Sequence, residues 1–351
     1  MYLWPRKKPI KFNDLVRIED WQRLQDLFSS VSNIGIYTVD PEGRILTEDS
    51  KESRLCKDFI KKSIYGLETC GGYCLPTFLG GKAIVNRNYN FVCPPGFHNF
   101  LTPLRINDKV LAYVIMGPVI LVMRKPKEAY QQLANDLNVD LEQLWKAIME
   151  IRVISFQRAQ TMIELIGKIG DFILTVAYES KRGDKRFLDN YHNKFSELLG
   201  FLLKLALLIS GADVGSIMLF DKQMKELLVR AAEGLPNSVI QNTRVRVGSG
   251  LSGKAVQENR PLLIDEKVCE QVIRERMRRP YIRSSMILPL NLSQKVLGVM
   301  NLGALEVSSI RFTNEDLERM QHLVKLTMEA LYSPVKEHFQ DLNSYIEVIL
   351  Q

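Results

Sequence analysis

The stretch "VRVGSGLSGKAVQENRPLLIDE", Val245 to Glu266, places three glycines close together before a short helix-like run and then "PLLID". Gly248, Gly250 and Gly253 allow positive φ and close backbone packing, which a strand needs where it turns sharply into "SGKAVQEN". Gly248 to Lys254 has the spacing Gly-x-x-x-x-Gly-Lys, but Ala255 stands where a phosphate-cradling loop needs Ser or Thr, so such a loop is rejected. The reading is strand, tight turn, helix, strand.

Outward from this stretch, the second half opens with the apolar helix "FSELLGFLLKLALLIS" and the strand-like runs "DVGSIMLFD" and "ELLVRAAEG". It closes with "SSMILPLNL" and "KVLGVMNLGA", which meet at a polar hairpin, Ser293-Gln294-Lys295. The last helix of this half starts at "FTNEDLERM", with Thr313 as N-cap and Asp316 in the first turn. Pro334 is expected to end it. Beyond, Phe339, Leu342, Ile346 and Ile349 space an amphipathic helix that either docks a partner or folds back on its own domain.

The first half reads as a helix from Leu15 to Phe28, then a β-hairpin in "IGIYTVDPEGRILT" around Pro41-Glu42-Gly43. A charged helical segment carrying Cys56 runs into the irregular loop "YGLETCGGYCLP". The strands "NYNFVCPPGF", "HNFLTPLRIN" and "KVLAYVIMGPVIL" follow, with Asn107-Asp108 at a hairpin tip. A helical block spans about Glu128 to Ser180. Within it Met162, Leu165, Ile169, Phe172 and Val176 form one seam, facing either the core or a second copy of the chain. That seam and the apolar helix of the second half lead us to expect a homodimer.

The charged break "ESKRGDKR" marks the domain boundary, giving domains at 1–180 and 181–334 and a C-terminal amphipathic helix at 335–351. A chain of 351 residues fits two domains. The fold class expected is α+β: two tandem domains, each an antiparallel sheet flanked by helices, joined by a helical linker.

The formal charge of +7 is scattered through "RKKPIK", "KRGDKR" and "RERMRRPYIR", which argues against nucleic acid as a partner. The basic N-terminus is too poor in apolar residues for a signal peptide, and no run of 18 or more apolar residues suggests a membrane span, so a cytoplasmic protein is expected. Five cysteines, four of them between Cys56 and Cys93, argue against a secreted disulfide framework.

Over about Phe187 to Tyr332 the second half resembles a GAF domain. The glycine-punctuated stretch, "LPLNLSQKVLGVMNLGA" and "RFTNEDLERMQHLVKLTMEAL" carry the likeness in matching order. Over about Asn13 to Glu179 the first half resembles the PocR sensory domain, a PAS-like module of bacterial signalling proteins. Its carriers are "IYTVDPEGRILTEDS", the four clustered cysteines, "CPPGFHNFLTPLRI" and "VLAYVIMGPVIL". Pro118 stands where that family's strand has glutamine. These resemblances imply a sensor of two ligand-binding modules. PocR-type domains are associated with small hydrocarbon derivatives such as short diols; GAF domains are associated with cyclic nucleotides, haem, bilins, other small molecules or none.

Cys56, Cys70, Cys74 and Cys93, separated by 13, 3 and 18 residues, have the count of a tetrahedral thiolate site for zinc or an iron-sulfur cluster. The same residues also read as buried or turn residues, or as a thiol-disulfide switch. His98 would add a nitrogen ligand or pair with Cys93, or simply pack. The aromatic wall for a small hydrocarbon would come from Tyr73, Phe78, Phe91, Phe97 and Phe100. Cys269 stands apart from them. Arg274, Arg276, Arg278, Arg279 and Arg283 read as a phosphate or carboxylate clamp or as a solvated basic face.

The function expected is a non-enzymatic sensor that takes a small ligand in its first domain and relays it through helices and the second domain. The partner would be a histidine kinase or transcriptional regulator. The rivals are a metal or iron-sulfur redox sensor using the four cysteines, and a small GAF-type reductase.

Overall fold

The computed structural model describes residues 10–70, 87–181, 187–265, 282–332 and 342–350. It is mixed α+β, with two antiparallel sheets flanked by helices, and divides into two compact units, Met1–Tyr178 and Glu179–Gln351.

In the first unit, α1 (Ile18–Ser32) buries Trp21, Leu24, Phe28 and Val31, spaced three and four apart on one helix face. Asn33 closes it in the left-handed conformation, φ 55°. The strands β1 (Ile36–Val39), β2 (Tyr89–Val92), β3 (His98–Ile106) and β4 (Lys109–Leu121) pair in the order β1-β4-β3-β2, and β5 (Val153–Ile154) runs parallel to the end of β4. The helices are α2 (Ile64–Cys70), α3 (Gln131–Leu137), α4 (Leu141–Glu150) and α5 (Phe156–Lys181).

Alternation along β3 decides which face each residue serves. Phe100, Thr102 and Leu104 lie under α5: Phe100 packs on Phe156 at 5.7 Å, and Gly167 and Gly170 let the helix approach Thr102 and Leu104. Leu101 turns to the other face, into a cluster with Tyr37, Val39, Val110, Tyr113 and Ile115. Beside it a second cluster gathers Leu55, Phe59, Cys93, Phe97, Tyr130, Leu144 and Ile148.

One expectation changes here. The segment Ile34–Thr47 is no two-stranded hairpin: β1 makes its ladder with β4, and the returning arm meets it through isolated bridges, Val39 with Ile45 and Ile36 with Ser50. β1 gives one edge to β4 and its other edge to the returning arm, which follows it only at these bridges. The helical seam Met162, Leu165, Ile169, Phe172 and Val176 is buried within the chain, which is the core-facing alternative of the sequence reading.

In the second unit, α6 (Phe187–Ser210), β6 (Val214–Phe220), β7 (Glu226–Glu233), α7 (Asn237–Asn242), β8 (Arg244–Arg246), α8 (Gly250–Glu258), β9 (Leu262–Asp265), β10 (Ile282–Leu292), β11 (Lys295–Leu305), α9 (Asn314–Tyr332) and α10 (Leu342–Ile349) follow in order. The sheet runs β8-β7-β6-β11-β10-β9. In the glycine-rich turn, Gly248 and Gly250 have φ of 78° and 61°. A Cβ on Gly253 would sit 2.3 Å from the Arg246 carbonyl oxygen, so only glycine lets α8 begin so close to β8. Thr313 and Asp316 form a reciprocal cap on α9, the Asp316 amide donating to Thr313 Oγ1 at 3.2 Å and the Thr313 amide to Asp316 Oδ2 at 2.9 Å. The helix α10 folds back on α6 and buries Tyr345, Ile346 and Ile349.

Candidate functional site

In the first unit one small cavity collects residues from separate elements. A π-helical turn, Leu55–Ile60, supplies Cys56 and Ile60, and the end of α2 supplies Cys70. Cys93 opens a tight turn through Pro94 and Pro95 in which the Gly96 amide donates to the Cys93 carbonyl at 2.7 Å and Gly96 takes φ 93°. That turn sets Phe97 and Asn99 of the β3 segment against Gly35 and Tyr37 from β1 and Gly117 and Pro118 of β4, whose peptide bond is cis. The cavity is about 40 Å³, room for roughly three water-sized groups.

Its wall is mostly apolar, with one charged corner. Lys61 Nζ lies 2.7 Å from Glu52 Oε1 and 3.0 Å from Asp49 Oδ2. Burial alone would lower the Lys61 pKa, but its bonds to Glu52 and Asp49 outweigh that and hold it above the ordinary lysine value. Burial raises the Asp49 carboxyl, with Lys61 opposing. Burial also pushes the Cys70 thiol up to about 11; the Thr69 hydroxyl at 3.9 Å opposes this, and the nearby Cys93 and Cys56 add to it. Cys70 is therefore a protonated thiol at neutral pH.

Of the residues singled out from the sequence, Cys56, Cys70, Cys93 and Phe97 share this cavity. Tyr73, Cys74 and Phe78 lie outside the described residues, as do Cys269, Arg274, Arg276, Arg278 and Arg279. Phe91 packs beside the Tyr37 cluster, next to the cavity but not lining it. Phe100 belongs to the α5 face. His98, one residue from Phe97 on the strand, does not line the cavity, and its Nδ1 is buried without a hydrogen-bond partner among the described residues. Among the described residues no group of three or more His, Cys, Asp or Glu side chains is placed to hold a metal ion; Cys74, the fourth thiol of the expected set, lies outside them.

Sequence reasoning missed Asp49, Glu52 and Lys61. The signal was the run of opposite charges beside Cys56, which reads as ordinary solvated surface until the fold brings it to the cavity. It missed Asn99 as well, whose place follows from alternation with Phe97.

The second unit holds a larger cavity, about 280 Å³, on the sheet face under α7 and α8. Its polar lining is Ser216, Thr243, Ser249, Ser252, Ser285 and Asn301. No histidine, cysteine, acidic or basic side chain lines it among the described residues. No helix among the described residues is long and apolar enough to cross a membrane.

Residues 14–178 match the family model described as the sensory domain found in PocR, and residues 192–331 match that of a GAF domain. Solved structures similar to the chain include a type II free methionine-R-sulfoxide reductase from Thermoplasma acidophilum, 14% identical, TM-score 0.34, covering 41% of this chain and 96% of that one. The GAF domain of an Acinetobacter phosphoenolpyruvate-protein phosphotransferase is 16% identical, TM-score 0.34, covering 44% and 95%. The GAF domain region of a putative membrane protein from Geobacter sulfurreducens is 20% identical, TM-score 0.37, covering 42% and 99%. No similar protein was found among curated proteins.

Proposed function

We propose, for a chain made of a PocR-type sensory domain followed by a GAF domain, that it senses a very small, largely apolar molecule in the cysteine-lined cavity of its first domain. It hands that signal to a protein partner such as a histidine kinase or transcriptional regulator. The observation that carries this reading is the convergence of Cys56, Cys70, Cys93 and Phe97, from three places in the sequence, on one cavity. A volume of about 40 Å³ suits a molecule of a few non-hydrogen atoms, on the scale of a two- or three-carbon alcohol. The apolar wall binds its carbons, and the Lys61 corner and Asn99 offer hydrogen bonds to a hydroxyl.

The reading as a metal or iron-sulfur sensor needs Cys74 to bring the three thiols together, so metal analysis of the purified chain separates it from the small-molecule reading. The test is the thermal shift of the full chain with propane-1,2-diol, in wild type and in Cys70→Ser and Cys93→Ser. A concentration-dependent shift that the substitutions reduce is expected; equal shifts in all three proteins, or none in wild type, would remove the reading.

A further inference from the structure

Five large apolar side chains that the fold leaves in solvent, Val122, Met123, Met149, Val153 and Phe156, stand at one place in the first unit. Backbone pairing brings them there. The end of β4 runs beside β5, with Ile120 opposite Val153 and the Val122 amide donating to the Ile154 carbonyl at 3.3 Å. Arg124 reaches back to the end of α4, its Nη2 donating to the Met149 carbonyl at 3.2 Å and to the Ile151 carbonyl at 2.6 Å. Phe156 opens α5 two residues after β5 and packs on Phe100. Apolar residues scattered singly over a surface are ordinary, whereas a group of them together marks an interaction site.

The outermost part is a strained turn. The Met123 amide donates to the Leu121 carbonyl at 2.8 Å, two residues back, and Val122 between them has φ 67°. A bond of that span around a positive φ is the rare, strained form of the γ-turn, and a β-branched residue is an outlier there. Val122 and Met123 are 83% and 76% exposed, so their own packing does not hold the turn. The β5 bond and the Arg124 clamp do. Strain kept in place by its surroundings gathers at binding surfaces, and a surface held ready loses less order when it is covered. The neighbours Ile120, Ile148 and Ile151 belong to the buried cluster that holds Cys93 and Phe97, so this surface shares its core with the first cavity. None of the five apolar residues lines that cavity, and the inference stands apart from any ligand there.

Charge selects the occupant. Residues 122–128 and 149–158 carry five basic side chains, Arg124, Lys125, Lys127, Arg152 and Arg158, against two acids, Glu128 and Glu150. Arg54 engages Glu150 and Glu142 engages Lys127, so the balance stays positive. A second copy of the chain would set this basic rim against itself, because a two-fold contact pairs like with like. A lipid surface would reach Val122 and Met123 alone, since Met149, Val153 and Phe156 are half sunk and the Arg124 guanidinium is tied to carbonyls. A partner with side chains reaches all five. We propose that this surface docks an acidic amphipathic segment of a partner protein, its apolar side chains on the five residues and its carboxylates on the basic rim.

The probes are a synthetic amphipathic peptide of leucine, alanine and glutamate, the same peptide with lysine for glutamate, and vesicles of phosphatidylserine and phosphatidylcholine. The full chain is compared as wild type and as Val122→Gly/Met123→Ser, which changes no charge and gives the positive φ to glycine. The variant should keep or gain thermal stability. Wild type should bind the acidic peptide roughly tenfold more tightly than the basic one, and the variant should lose roughly fivefold or more of the acidic-peptide affinity. Because the chain carries +7 overall, the loss in a variant of unchanged charge is what locates the contact. Val153→Thr repeats the test on β5 without touching the turn. The inference is overturned if wild type does not bind the acidic peptide, if it binds the basic peptide as tightly, or if folded variants bind as wild type does. Vesicle binding or self-association that the variants abolish would overturn it in favour of a lipid surface or a second copy.

Discussion

The Tyr191 and Tyr345 hydroxyls, 154 residues apart in sequence, lie 2.7 Å from each other in the buried contact between α6 and α10. Tyr332 packs on the Tyr345 ring at 4.9 Å. Burial pushes both phenols upward, Tyr191 well above the ordinary tyrosine value, so the pair stays neutral and shares one proton as a hydrogen bond. The C-terminal helix is thus anchored to its own domain by a polar pair as well as by Ile346 and Ile349.

Tyr345→Phe should cost about 1 kcal/mol, and Tyr345→Ala about 3–5 kcal/mol, because the ring is fully buried. Urea unfolding of the full chain reads both. Equal stability of wild type and Tyr345→Ala would mean that α10 is not anchored here.

Gly253→Ala should destabilise the second domain by about 1–3 kcal/mol, because its Cβ would meet the Arg246 carbonyl oxygen at 2.3 Å and backbone must move to admit it. Gly200→Ala, where an added Cβ meets nothing within 4 Å, should be neutral or stabilising. Reversal of that order in thermal melts would contradict the packing of α8 on β8.

The Lys61 corner makes a pH prediction. A lysine whose pKa is raised in the fold stabilises fully below its unfolded value, ~10.4, and that gain is lost as pH rises through the folded value. Asp49 is raised too, so its ionisation opposes folding once pH exceeds ~3.9. Lys61→Met leaves Asp49 and Glu52 without their cation. The loss should be roughly 1 kcal/mol at pH 7 for this partly exposed group and smaller near pH 4, where Asp49, its carboxyl raised by burial, takes up a proton. Unfolding curves with the same loss at both pH values would show that charge is not the cause.

With its thiol at about 11, Cys70 should react with iodoacetamide at pH 7.5 roughly a hundredfold more slowly than an unperturbed cysteine. Peptide mapping by mass spectrometry across pH 7–11 should show the rate still rising at the top of the range. A plateau near pH 9 would contradict the buried environment.

How far the sequence reaches depends on the kind of signal. The turn before α8 was legible because Gly248, Gly250 and Gly253 each answer a local backbone demand. The arm Arg44–Leu46 was not, because turn chemistry at Pro41-Glu42-Gly43 looks the same whether the returning arm makes a full ladder or isolated bridges. The cysteines announced a site, yet strand alternation separates Phe97 and Asn99 from His98 and Phe100, and nothing local says which face is hollow. Ser285 and Asn301 were silent, since single polar residues in apolar strands acquire meaning only through cross-strand register.

The most direct test of the central claim is calorimetric titration of the full chain with propane-1,2-diol, wild type against Cys56→Trp. The substitution places an indole in a cavity of about 40 Å³ from a half-buried wall position. The account predicts saturable binding by wild type, its loss in a folded Cys56→Trp protein, and its retention in Ser285→Ala. No saturable binding by wild type, or the same affinity in Cys56→Trp, would contradict it.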